Sequence, residues 1–99
     1  MTMKKILEGS KLTVTVEGRL DTLTAPELEQ ALEPALEGVE TLVFDFASLA
    51  YISSAGLRVL LSAAHVIDAR DGEMKVLNAN KDVRNIFDIT GLTDALGVE

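Results

Sequence analysis

The 99-residue sequence has no cysteine, which excludes disulfides, thiol catalysis and thiolate metal sites and suits a reducing compartment. Its single histidine supplies too few donors for an ordinary transition-metal site once thiolates are gone. Basic residues are scarce: 9 Lys and Arg face 16 Asp and Glu, a formal net charge of −7. That balance opposes attraction to nucleic acid or to an acidic membrane surface. It serves solubility, and it would also steer a basic protein partner. No stretch approaches the ~18 uncharged apolar residues of a membrane span, and the opening MTMKKILEGS has lysines but no apolar segment behind them. A soluble, cytoplasmic protein is expected. No Gly-rich phosphate loop of the Walker or dinucleotide type is present, so no cofactor is expected either.

What is present is a chain of 47% hydrophobic residues, enough for a real core in one domain spanning residues 1–99 and for no second one. Met3–Glu8 and Leu12–Glu17 flank Gly9-Ser10. The alternation of Leu12, Val14 and Val16 with Thr13, Thr15 and Glu17 predicts a hairpin with one buried face. Gly18–Thr24 breaks that pattern. Thr24-Ala25-Pro26-Glu27 then offers a capping hydroxyl, a first-turn proline and a carboxylate for a helix reaching about Leu36, with Pro34 late in it. TLVFDF, residues 41–46, reads as a central strand covered on both faces. After a linker, Ala47–Ile52, a helix is predicted from about Ser54 to Arg70 on the spacing of Leu57, Leu60, Leu61, Ala64 and Ile67, ending at Asp71-Gly72. MKVLNA is a further strand, KDVRNIFDITGL a further helix, and Asp94–Glu99 has room for a short last element. The order β-β-α-β-α-β-α describes an α/β domain with parallel strands joined by crossover helices.

Chemistry-bearing residues gather where strands give way to helices. In YISSAGLRVLL, Ser53 and Ser54 precede an apolar helix, and one N-cap explains one of them. With Ser53 as cap, Ser54 stands in the first turn, where its hydroxyl faces solvent and a phosphate would lie beside the helix amides. Gly56 in a first turn costs about 1 kcal/mol against alanine, so either packing or the approach of a partner must require it. Asp21, in GRLDTLTAP, reads equally as a turn or capping aspartate and as a neighbour of Ser54. Asp45, ending the central strand, resembles a receiver-domain phosphoacceptor, but the first strand lacks the acidic pair that would hold magnesium. It is read as structural or as a neighbour of the serines. A Ser54, His65, Asp21 triad fails on geometry, since His65 lies about 16 Å further along the same helix. No catalytic constellation emerges, and the chain is not expected to be an enzyme.

VTVEGRLDTLTAPEL, LVFDFASLAYISSAGLRVLL and KVLNANKDVRNIFDITGL, in this element order, make the chain similar to the STAS domains of the bacterial anti-sigma factor antagonist type over almost its full length. The resemblance implies a single STAS-type domain, with a mixed sheet of about four strands, an N-terminal hairpin and three main helices. It implies an antagonist that binds an anti-sigma factor in its unphosphorylated form. That partner is also a serine kinase; phosphorylation at Ser54, alternatively Ser53, breaks the complex, and a serine phosphatase restores it. Asp21, Thr22, Ser53, Ser54 and Gly56 would line the partner surface, and Leu57 and Arg58 would extend it along the exposed part of the helix. The state expected is a monomer or weak dimer. A non-switching scaffold or sensor-complex subunit, with both serines merely capping, is the other reading.

Overall fold

The first turn is as tight as its sequence suggests. Gly9 takes φ +63°, a left-handed conformation that glycine adopts without a Cβ penalty, and Glu8 faces Lys11 across the two-residue loop. The computed structural model describes residues 1–99. Its elements are β1 (Thr2–Glu8), β2 (Lys11–Leu20), α1 (Ala25–Ala35), β3 (Thr41–Asp45), β4 (Leu49–Ile52), α2 (Ser54–Asp68), β5 (Glu73–Leu77) and α3 (Lys81–Thr90). The mixed sheet runs β1-β2-β3-β5, with β4 paired to β2 off that path. β1 is antiparallel to β2, and the other pairs are parallel.

One strand is longer than its alternating pattern, and one is new. β2 continues three residues beyond Glu17, through Gly18 at φ +92°, and the bulge between Gly18 and Arg19 lies opposite an extra residue on the partner strand, Ala50. β2 leaves β3 after Thr15 and pairs with β4 from Gly18 onward: Gly18 faces Leu49, Arg19 faces Tyr51 and Leu20 faces Ile52. The expected linker Ala47–Ile52 therefore contains a fifth strand, too short to show a period of its own.

Leu12, Val14 and Val16 point from β2 into a core that also takes Leu42, Phe44, Leu28, Leu32, Leu60 and Ile67, and no polar or charged residue is buried. Facing residues on β1 and β2 share a side of the sheet. Met3, Lys5 and Leu7 thus lie on the core side opposite Val16, Val14 and Leu12, and Lys4, Ile6 and Glu8 lie on the other side opposite Thr15, Thr13 and Lys11. Lys5 reaches the Ala31 carbonyl of α1 at 3.4 Å, which puts α1 on the core side.

Pro34 is accommodated because it falls in the last turn of α1, where Leu36 N–H still reaches Leu32 O at 2.9 Å. The carbonyls left over at that helix end are met from the next helix. Arg70, just past α2, donates through Nη1 to Leu36 O, and to Val39 O at 3.1 Å. α2 itself ends at Asp68, two residues short of the expected Arg70, as Asp71 turns left-handed at φ +55°. Gly72 then passes so close to the Glu40 carbonyl that no Cβ fits between them. The expected short last element is a single parallel bridge: Val98 pairs with Val76 on the outer edge of β5, anchored by the fully buried Leu96. No helix is long and apolar enough to cross a membrane.

Arg70→Ala removes the Nη1 hydrogen bonds to Leu36 O, which also accepts from Val39 N–H at 3.1 Å, and to Val39 O. It should lower unfolding free energy by about 1–3 kcal/mol, read by urea denaturation; an unchanged midpoint would show that water serves those carbonyls as well.

Candidate functional site

The switch of β2 from β3 to β4 sets two connections side by side. Leu20 pairs with Ile52, and Ser53 N–H donates to Leu20 O at 2.9 Å. The next residues on each strand, Asp21 and Ser53, therefore start the two loops that feed α1 and α2 from one edge of the sheet.

The two serines divide as the capping argument requires. Ser53 is extended (φ −98°, ψ 173°), and its Oγ accepts from Gly56 N–H at 3.3 Å; its own carbonyl takes the first helical bond from Leu57 N–H at 2.9 Å. Ser53 is half-buried, whereas Ser54, the first helical residue, is exposed. With Gly56 N–H occupied, Ser54 and Ala55 carry the helix amides that have no intrahelical acceptor, at the positive end of the α2 dipole.

Asp21 is a capping aspartate. Its Oδ1 accepts from Leu23 N–H at 3.0 Å, from Thr24 N–H at 3.1 Å and from the Thr24 hydroxyl at 3.1 Å. Asp21 N–H in turn donates to Thr24 Oγ1 at 2.9 Å. This is the reciprocity of a capping box, set one turn upstream of α1. The expected role of Thr24 changes accordingly: its hydroxyl makes no forward cap on α1 and turns back, its one proton shared between Arg19 O at 2.9 Å and Asp21 Oδ1. The other carboxylate oxygen of Asp21 lies 3.8 Å from Arg19 Nε. The backbone hydrogen bond from Thr24 is the main cause holding the Asp21 carboxyl below its ordinary value of 3.8; partial desolvation opposes it, and Leu23, the Thr24 hydroxyl and Arg19 add to it.

Arg19 does more than pair with Asp21. Its guanidinium sits 4.4 Å from the centre of the Tyr51 ring, a cation–π contact between residues directly opposite on β2 and β4. Sequence reasoning passed over both residues, because β4 was read as linker. Leu23, 84% exposed at the tip of the Asp21 loop, was also missed, although an apolar residue inside a polar turn was its signal.

Two expected surface residues turn inward. A Cβ at Gly56 would come within 2.8 Å of Leu20 and 2.9 Å of Ile52, so this glycine exists for packing and does not line the surface. Leu57, 7% exposed, lies on the core side of α2, as its helical spacing from Leu60 and Ala64 dictates. Thr22 and Arg58 are exposed, and Arg58 stands four residues along from Ser54, on the same side of the helix. Asp45 is structural: its Oδ1 accepts from Ala47 N–H and from Asn78 Nδ2, both at 3.1 Å. His65 is exposed far along α2. No group of three or more His, Asp and Glu side chains converges as a metal ion would need.

Because the folded Asp21 carboxyl ionises more readily than an unfolded one, its contribution to stability is complete above its ordinary pKa of 3.8 and is lost as pH falls through its lowered value. Asp21→Asn should therefore be less stable than the parent at pH 7. The difference should shrink below pH ~4 in urea titrations; a gap that persists at pH 2 would show that the charge is irrelevant.

Comparison with known proteins agrees with this architecture. The STAS domain family model matches residues 2–99. An anti-sigma-B factor antagonist of Staphylococcus epidermidis is 34% identical over 86 residues, 86% of this chain and 80% of that protein. An anti-sigma factor antagonist from Mycobacterium paratuberculosis superposes with a TM-score of 0.86 at 26% identity, over 98% of this chain and 83% of that one. The anti-sigma factor antagonist SpoIIAA superposes in its unphosphorylated form with a TM-score of 0.88 at 20% identity, covering 99% of this chain and 86% of that one. In its phosphorylated form, described as a Bacillus cell fate determinant, the TM-score is 0.80 at 19% identity, covering 99% and 89%. By fold and by sequence from residue 2 to residue 99, the chain belongs to the STAS domain family.

Proposed function

We propose that this protein is an anti-sigma factor antagonist that binds an anti-sigma factor, itself a serine kinase, and is released when that kinase phosphorylates Ser54. In this cycle the protein is ligand and substrate, and a serine phosphatase returns it to the binding form. The relatives named anti-sigma factor antagonists support the role. The observation that carries the choice of residue is the division of labour at the start of α2: Ser53 is half-buried and engaged as the cap, while Ser54 is exposed at the first helical position.

The physics of such a switch is local. The Ser54 hydroxyl attacks the γ-phosphorus of ATP, ADP leaves, and the hydroxyl proton passes to a base of the kinase. The product carries about −1.5 to −2 charges at neutral pH. On the protein's own side that charge is tolerated, since the free amides of the first turn and the helix dipole favour an anion there, and Arg58 stands at i+4 with opposite charge. On the partner's side the same charge enters a surface fitted to a neutral hydroxyl, where an unmatched, desolvated charge weakens association. Arg19, Asp21, Thr22 and exposed Leu23 lie on or beside the loop that leaves the same edge of the sheet, a mixture of charged, polar and apolar groups suited to partner recognition. Nucleic acid and membrane have no part in this reading.

Incubation with the cognate kinase and ATP, followed by mass spectrometric mapping, should find phosphate on Ser54. Ser54→Ala should abolish incorporation and keep partner binding, and Ser54→Asp should weaken binding by about tenfold or more. Phosphate found elsewhere, or a Ser54→Asp variant that binds as the parent does, would favour a non-switching scaffold. Ser53→Ala should cost about 1 kcal/mol in stability through the lost cap while the kinase still labels the protein; loss of labelling in a folded Ser53→Ala protein would move the modification site to Ser53.

A further inference from the structure

The main path of the sheet, β1-β2-β3-β5, has two outer edges, and they differ. The outer edge of β5 is closed by the chain's own tail, where Val76 N–H donates to Gly97 O and Glu99 N–H donates to Val76 O, both at 3.0 Å. The outer edge of β1 is open. This strand has seven residues, of which only Met3 is even half-buried; Ile6 is 56% and Leu7 60% exposed. An open edge of this length, with apolar side chains at its middle, offers unpaired backbone donors and acceptors to another strand.

We infer that β1 pairs antiparallel with β1 of a second copy of this chain about a two-fold axis at Ile6, giving a weak dimer with one continuous sheet. The strand's own sequence specifies the occupant. A two-fold axis perpendicular to the sheet joins residues of the same side, so the two residue numbers in each pair must sum to an even number. Centred on Ile6, the pairs are Lys4 with Glu8, Lys5 with Leu7, Ile6 with Ile6, and their symmetry mates. Both Lys4–Glu8 pairs unite opposite charges on the side of the sheet away from α1, and the two Ile6 side chains meet between them. Neither Lys4 nor Glu8 has an ion-pair partner within its own chain. Lysines on an edge strand ordinarily discourage pairing, but here Glu8 of the other copy answers Lys4. The register centred on Lys5 is disfavoured, since it opposes Lys5 to Lys5.

Five residue pairs make a small interface, well under the ~1,200 Å² of a stable complex, so association should be concentration-dependent and weaken with salt. The two-fold axis reverses the strands. The two Ser54 sites then emerge at opposite ends of the dimer, both accessible.

The absence of native cysteine permits a direct test by engineered cross-linking under mild oxidation. In Ile6→Cys the paired Cα atoms would lie about 4.5–5.5 Å apart, within reach of a disulfide. In Leu7→Cys they would be about 8 Å apart, one side-chain repeat out of register, and too far. Ile6→Cys should therefore form covalent dimer at least about tenfold faster than Leu7→Cys or the exposed helix control Ser62→Cys. Adding Lys4→Glu should slow the Ile6→Cys reaction about tenfold, and Lys4→Glu with Glu8→Lys should restore it. Equal rates for the three cysteine variants, no effect of Lys4→Glu, or a monomer mass for the parent at every concentration up to about 1 mM by sedimentation would overturn the dimer.

Discussion

Everything at the candidate site depends on β2 keeping its direction while changing its neighbour. Its first half pairs with β3 and its last residues, from Gly18 at positive φ, with β4, where Ala50 forms a bulge. β4 joins β2 from Gly18–Leu49 onward, and the bulge shifts the register so that Ile52 is held against Leu20. The Leu20 carbonyl then receives Ser53 N–H, which fixes the backbone of the cap and hence the angle at which α2 leaves the sheet. Leu20 and Ile52 also pack against Gly56 from below, leaving no room for a side chain there. A backbone irregularity in one strand is thus converted, within a few residues, into the position of one exposed hydroxyl.

The loop beside it is stiffened by a different means. Asp21 and Thr24 bind each other's backbone and side chain, so the turn that carries Thr22 and Leu23 is held from within and borrows little from the core. Arg19 links this turn to β4 through Tyr51 and Asp21. The result is a small, firmly positioned surface of mixed character at one edge of the sheet, while the largely apolar core carries the folding energy elsewhere.

Much of this was legible in the sequence because several signals agreed. The alternation along Leu12–Val16, the helical spacing from Leu57 to Ile67 and the Gly and Asn punctuation between elements all describe the same α/β domain, and the serine pair before Gly56 marks the helix start. What escaped notice did so for definite reasons. β4 is four residues long, with only its end residues buried, and so has no readable period. The extension of β2 was hidden by a glycine that usually ends a strand and here bends one. Leu57 is close in sequence to Ser54, but its place in the apolar repeat with Leu60 and Ala64 turns it to the core. Asp21 was open between two readings that geometry joins, since a capping aspartate in this loop is also a neighbour of the serine edge. Arg19 and Tyr51 could be recognised only once their strands were known to be partners.

The half-buried Ser53 has one more consequence. Since cap, strand pairing and glycine packing all belong to residues other than Ser54, a substituent on its exposed hydroxyl would displace none of the contacts that hold the fold. Under the proposed switch both covalent forms would keep the same core, and the lifetime of the signal would be set by the enzymes that make and break one phosphate ester.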